Sequence, residues 1–452
     1  MSKSTKRTTS RREFLKTGGQ IAATTAVMAG AVPAVHAAQD DTLRLALIGC
    51  GGRGTGAASQ ALSVPNGRTK LVAMADVFEN KLNGSHGRLS KRPPEQFDVP
   101  NERKFLGFDG YKKAMDCLKP GDIAILTTPP AFRWPFFKLA VEKGLHVFME
   151  KPVTVDGPTT RKMLELSKEA DKKNLKVGVG LMVRHCRQRQ ELHDRIKNGE
   201  IGEIIAMRGY RMCGRACTCG PPPDNMSELL YQIRNFHKFL WASGGMYSDF
   251  YIHQIDELSW MKDAWPVEAR ALGGRHYRDT GVDQNFDTYS VEYTYPDGTK
   301  LFYYGRAMSG CQNEFASYVH GTKGCGIVST SSHVPGRCRT FKGQHFTKEA
   351  MTWAAPNTDN PYQLEWNDLI QAIREDKPYN EAKRGAEGSM VSSMGRMAAH
   401  TGQPITFEGM LNCEHEMAPD VDKFAADSPP PVKFENGRYP WPEPGMKKNR
   451  EY

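Results

Sequence analysis

Gly49, Gly51 and Gly54 stand in the order G-x-G-x-x-G, directly after the apolar run Leu43-Arg44-Leu45-Ala46-Leu47-Ile48. A small-residue stretch of helical character follows, to about Leu62. No other feature of the chain restricts its fold as much. A strand that turns through glycine into a helix makes a βα unit. Gly49 permits the tight turn, Gly51 lets backbone approach a phosphate, and Gly54 lets helix and strand pack closely. The helix N-terminus adds amide donors and partial positive charge. With 43 glycines in the chain the pattern alone would be weak; its place between strand and helix makes it specific. The segment Gly49 to Gly56 therefore reads as a dinucleotide phosphate loop, with Gly49, Cys50, Gly51, Gly52, Arg53 and Gly54 as its contact residues.

The second apolar run, Lys70 to Ala75, ends at Asp76, 20 residues past Gly56. A carboxylate there accepts hydrogen bonds from ribose hydroxyls and repels a 2′-phosphate. No Arg or Lys follows before Lys81. The expected cofactor is NAD, with NADP less favoured. Further along, 111–118, 136–143 and 159–173 have helical patterns, whereas 122–127, 146–149 and 176–182 read as buried strands. Such alternation predicts a parallel sheet covered on both faces, an α/β Rossmann domain over 42–182.

After 183 the texture changes. Arg187 to Gly199 reads as an amphipathic helix. The segments 204–211, 268–273, 288–295 and 300–306 read as longer strands, and 362–375 and 385–401 as helices. This predicts an α+β domain over 183–410 with a large, mostly antiparallel open sheet. The residues 411–452, with Pro429-Pro430-Pro431 and Trp441-Pro442-Glu443-Pro444, read as an extended tail wrapping the surface.

The first 38 residues do not read as fold. Ser10-Arg11-Arg12-Glu13-Phe14-Leu15-Lys16 has the form of a twin-arginine export motif, an Ala-rich stretch follows, and Val35-His36-Ala37 offers a cleavage site. The expectation is a signal peptide read by the twin-arginine machinery and a periplasmic protein, exported folded and with its cofactor loaded. Residues 1–37 hold six basic residues and one acidic one, so half of the chain's net charge of +10 lies there. The remainder is too diffuse for nucleic acid. No apolar run after the N-terminus is long enough to span a membrane. Cys213, Cys217 and Cys219 lack the spacing of a standard zinc finger and an obvious fourth ligand, so no metal is expected there. A disulfide and a free-thiol loop both remain open.

Three segments carry a family resemblance: Glu150-Lys151-Pro152 after the strand His146 to Met149, Gly244-Gly245 followed by Asp249 and His253, and the order of the two domains. Together they resemble the Gfo/Idh/MocA family, over about 42–410. The resemblance implies a nicotinamide-dependent oxidoreductase acting on a secondary alcohol of a sugar, inositol or related polyol, as a homo-dimer or tetramer. It implies catalytic roles for Lys151, Asp249 and His253, and a nicotinamide end formed by Thr128, Pro129, Glu150 and Lys151. Spacing i, i+4 puts Asp249 and His253 on one helical face, and a histidine can exchange a proton near neutral pH. Arg184 and His237 are candidates for substrate hydroxyls. Arg133 stands where the family usually has His. A second reading on the same scaffold is an NAD-dependent glycosidase that oxidises a sugar transiently to eliminate its glycosidic bond. Scarce NAD outside the cytoplasm favours a tightly held, recycled cofactor under either reading.

Overall fold

The computed structural model describes residues 41–65, 67–276, 281–330, 337–356 and 360–452. The proposed export segment lies outside them. Six short strands form the first sheet: β1 (Leu43–Ile48), β2 (Thr69–Asp76), β3 (Lys104–Leu106), β4 (Ile123–Leu126), β5 (His146–Met149) and β6 (Val177–Val179). Their spatial order is β3-β2-β1-β4-β5-β6 and every pairing is parallel. Alternate side chains serve opposite faces. Ala46 and Ile48 join one apolar cluster with Leu126, Val147 and Phe137, while Leu45 and Leu47 join another with Ile125, Ala57 and Ala61. The strand order reverses between β1 and β4, which opens a crevice at their C-terminal ends.

The second sheet has nine strands: β7 (Ile204–Cys213), β8 (Glu268–Gly274), β9 (Thr288–Thr294), β10 (Lys300–Ala307), β11 (Glu314–Gly321), β12 (Gly324–Ser329), β13 (Arg339–Lys342), β14 (Met351–Ala354) and β15 (Ile405–Thr406). The order is β14-β13-β12-β11-β7-β10-β9-β8-β15, antiparallel throughout except between β7 and β10. Both sheets match the expected fold class. Strands β11 to β14 carried no clear signal in the sequence; β13 and β14 have only four residues each.

The helices Gly245–Lys262 and Ala382–Thr401 lie on the inner face of the large sheet and are buried nearly all round. A helix so placed cannot keep a polar stripe for water, so its charged residues need partners inside the protein. Asp256, fully buried, takes a two-pronged bond from Arg184, and Glu257 pairs with Arg189 and accepts from Ser317 and Ser329.

Two features depart from the sequence reading. The helix Pro361–Arg374, late in the chain, returns to cover the first sheet: Trp366 stacks on Phe148 at 4.4 Å between centroids. The tail is extended but not merely superficial. Glu451 is 3% exposed and pairs with Arg396 and His400. The reason is electrostatic: Arg396 is fully buried and needs a counter-charge.

Candidate active site

The crevice at the end of β1 and β4 continues into a cavity of about 540 Å³ that reaches the helix Gly245–Lys262. At one end sits the glycine loop. Gly49 has φ +98°, and a Cβ on Gly54 would lie 2.0 Å from the Gly49 carbonyl oxygen, so neither position accepts a side chain without backbone movement. Gly51 and Gly52 face open space, with nothing within 4 Å of an added Cβ. That is the cradle a pyrophosphate requires, set at the start of the helix Gly52–Ala61. The loop fits a dinucleotide.

Asp76 ends β2 and accepts from the Cys50 amide at 2.6 Å and the Phe78 amide at 2.8 Å. Burial holds its carboxyl above the usual range, with the backbone amides acting against that. It lines the cavity, as do Lys81 and Arg234. Cys50 does not: its amide is engaged by Asp76 and its thiol faces the Ala75 carbonyl. Arg53 turns sideways, pairing with Glu150 at 2.5 Å and Glu365 at 2.9 Å and stacking over Tyr362. Its side chain thus braces the loop against the E-K-P segment. Nothing local in the sequence marks Glu365 or Tyr362 as partners, since both lie more than 300 residues away.

Thr128, Pro129, Glu150 and Lys151 line the middle of the cavity. Arg133 lies beneath Thr128 and Pro129. Only 1% exposed, it donates to the Leu126 and Thr128 carbonyls, tying down the backbone at the end of β4. Burial lowers its pKa to about 10, against the pull of Glu150 and Asp249.

At the far end Lys151, Asp249 and His253 all line the cavity. The Lys151–Pro152 peptide is cis. Lys151 Nζ donates to the Asp249 carbonyl at 2.5 Å and lies 3.3 Å from its Oδ1. The second carboxylate oxygen, Oδ2, is 2.5 Å from Nδ1 of His237. Burial pushes the Asp249 carboxyl up, but Lys151 and His237 pull it down to about 2. His253, one helical turn on, is 6% exposed.

His237 comes from the insert 214–239, which closes over the cavity with Ile233, Arg234 and Phe236. Asn285 fastens it there: its Oδ1 accepts from the Met246 amide and its Nδ2 donates to the carbonyls of His237 and Cys217. Gly245, at φ +68°, leaves room for that side chain, since a Cβ would meet Asn285 Oδ1 at 2.5 Å. Arg184 lies outside the cavity lining, held by Asp256. Among the described residues no disulfide joins Cys213, Cys217 or Cys219. Among the described residues no helix is long and apolar enough to cross a membrane.

Two family models cover most of the described chain. Residues 43–181 match the model described as "Oxidoreductase family, NAD-binding Rossmann fold" of GFO/IDH/MocA, and residues 189–325 match the GFO/IDH/MocA C-terminal domain. An inositol 2-dehydrogenase of Corynebacterium glutamicum is 26% identical over 136 residues, 30% of this chain and 40% of that protein. A glycosyl hydrolase family 109 protein of Phocaeicola vulgatus is 24% identical over 223 residues, 49% of this chain and 35% of the other. The chain thus matches less than half the length of either relative. Among solved structures, scyllo-inositol dehydrogenase of Lactobacillus casei, with NAD(H) and scyllo-inositol bound, superposes with a TM-score of 0.59 at 18% identity, covering 81% of this chain and 99% of that one. At that identity the likeness is one of fold. With both domains matched in order, the chain belongs to the Gfo/Idh/MocA family of oxidoreductases.

Proposed function

We propose that this protein is an NAD-dependent oxidoreductase acting on a secondary alcohol of a sugar, inositol or related polyol. The observation that carries the reading is the cluster of Lys151, Asp249 and His253 at the end of a cavity that begins at a dinucleotide loop. Bound in that loop, a nicotinamide dinucleotide supplies a ring that accepts or returns hydride.

The chain's own residues supply proton handling and alignment. An ammonium has three N–H donors. Lys151 directs donors to the Asp249 carbonyl and carboxylate, and the third is assigned to the substrate oxygen. Asp249 stays ionised above about pH 2, so it holds Lys151 and His237 in place across the physiological range. His253 is assigned to take the hydroxyl proton. Such proton transfer contributes about 10²–10⁴-fold, and the walls of the cavity align the reacting carbon. Arg133 fixes the floor of the ring site by holding the Leu126 and Thr128 carbonyls.

Asp76 supports NAD over NADP, since both its oxygens lie at the end of β2 where ribose hydroxyls are read. The twin-arginine motif supports export to the periplasm with NAD held tightly and recycled. The outer face of the large sheet carries Tyr210 in ring contact with Tyr304 and Tyr318, and it supports assembly into a homo-dimer or tetramer.

The test is NADH fluorescence titration of the purified protein, followed by a panel of sugars and inositols with reduced nicotinamide as the readout. Saturable binding and reduction by at least one polyol are expected. No binding after any resident cofactor has been removed would sink the reading. Release of sugar from a chromogenic glycoside without net NADH would move it to the glycosidase branch.

A further inference from the structure

Arg211 lies on β7, on the face it shares with Met207 and Gly209 and that the helix Gly245–Lys262 covers. It lines the cavity. Its guanidinium is held between two aromatic rings, 3.7 Å from the centroid of Phe315, its cross-strand neighbour on β11, and 5.5 Å from that of Phe250. Phe250 also touches His237, ring to ring at 5.4 Å, and His237 lies within ion-pair distance of Asp249. Arg211 therefore belongs to the substrate end of the cavity.

What sets it apart is its lack of an acceptor. Among the described residues no carboxylate lies within ion-pair distance of it, and its Nη1 is buried with no hydrogen-bond partner. Most of the neighbouring cations are answered, although Arg133 keeps a buried Nε without a partner and the exposed Lys81 and Arg234 make no ion pair among the described residues. Arg53 has Glu150 and Glu365, Lys151 has Asp249, Arg184 has Asp256, and Arg133 has two carbonyls. A buried guanidinium hydrogen without an acceptor is costly to fold around, and a ligand that brings an anion removes that cost. The planar fork of N–H donors on Arg211 pairs with two oxygens of one carboxylate or phosphoryl group.

We propose that Arg211 receives a carboxylate of the substrate, so that the polyol oxidised here is a sugar acid of the uronic type. This rests on the oxidoreductase reading above. Such a substrate is gripped at two points, its carboxylate at Arg211 and its reacting hydroxyl at Lys151 and His253. The two grips together fix which carbon faces the cofactor ring.

The test uses the full NAD-loaded protein with glucuronate and galacturonate, the matching neutral aldoses, and glucose 6-phosphate. The expected result is a kcat/KM at least tenfold higher for a uronate than for its aldose. In Arg211→Met, which keeps the apolar stem between the rings, KM for the uronate rises at least tenfold while NADH titrates as in the wild type. Arg211→Lys recovers part of the loss. Neutral aldoses or inositols used as well as uronates, a preference for the sugar phosphate, or an unchanged KM in Arg211→Met would overturn the assignment and leave the oxidoreductase reading standing. No turnover of any compound would overturn both.

Discussion

The two walls of the cavity are held by different means. The wall made by the glycine loop and the ends of β1, β2 and β4 depends on backbone geometry: a positive φ at Gly49, a close approach at Gly54, amides caught by Asp76. The wall made by the insert 214–239 depends on side chains brought from afar. Gln232 donates to the Val432 carbonyl, Glu228 accepts from the Phe434 amide, and Asn285 holds the His237 carbonyl. Behind these, Arg396 joins the start of the helix Gly245–Lys262 to the end of the tail. It donates to Ser248 and the Val155 carbonyl and pairs with Glu451. Local geometry makes one wall, and long-range pairing makes the other.

If that contrast is right, the far end of the chain should matter more than its position suggests. Glu451→Gln leaves Arg396 buried without its counter-charge, a loss of about 3–5 kcal/mol, read by urea unfolding. His400 reinforces the pair. A carboxylate can only accept, so Nδ1 donates to Glu451 and Nε2 accepts from the Tyr289 hydroxyl. Adding Arg396→Met to Glu451→Gln should recover part of the loss. A single variant as stable as the wild type would remove the tail from the account.

On the other wall, Gly54→Ala forces backbone apart at Gly49 and at the Thr127 hydroxyl. A destabilisation of about 1–3 kcal/mol is expected, together with weakened NADH binding by fluorescence titration. Binding as tight as in the wild type would mean the loop is not the phosphate site.

Acid should act mainly through the paired carboxylates. Burial raises and neighbouring cations lower Asp249, Glu381 and Glu451, each to about 2 in the folded protein. Groups depressed in this way stabilise the fold above their ordinary range near 4 and lose that contribution as pH falls towards 2. His185 has the opposite sign. Burial lowers it, but Glu381 and Asp368 raise it to about 9. Its contribution is complete below 6.5 and disappears as pH rises through 9. Tm measured from pH 3 to 10 should fall at both ends; a flat acid limb would contradict the pairings. The smallest effect concerns the thiols. No disulfide joins the cysteines among the described residues, so dithiothreitol should leave Tm unchanged, and a fall would reveal a disulfide.

The same contrast explains what could be read from the sequence. Five of the six Rossmann strands, the glycine loop and Asp76 were legible because each obeys a local rule of spacing; the three-residue β3 was not, and Lys151 stood out only through the family resemblance. The second sheet was legible at β7 to β10 and not at β11 to β15, of which β13 to β15 have four residues or fewer. Arg184 illustrates the limit. Its place after β6 suggested a pocket residue, yet the buried Asp256, 72 positions on, claims it. Arg211, Glu365 and Glu451 gave no signal at all, since their significance lies in partners or neighbours that only the fold brings near.

The most direct test of the central claim is a single-turnover experiment on NAD-loaded wild-type protein and Lys151→Ala, with a polyol that the wild type oxidises. The account predicts that the variant binds NADH with unchanged affinity while the rate of nicotinamide reduction falls by about 10²–10⁴-fold. Reduction at the wild-type rate in Lys151→Ala would contradict it.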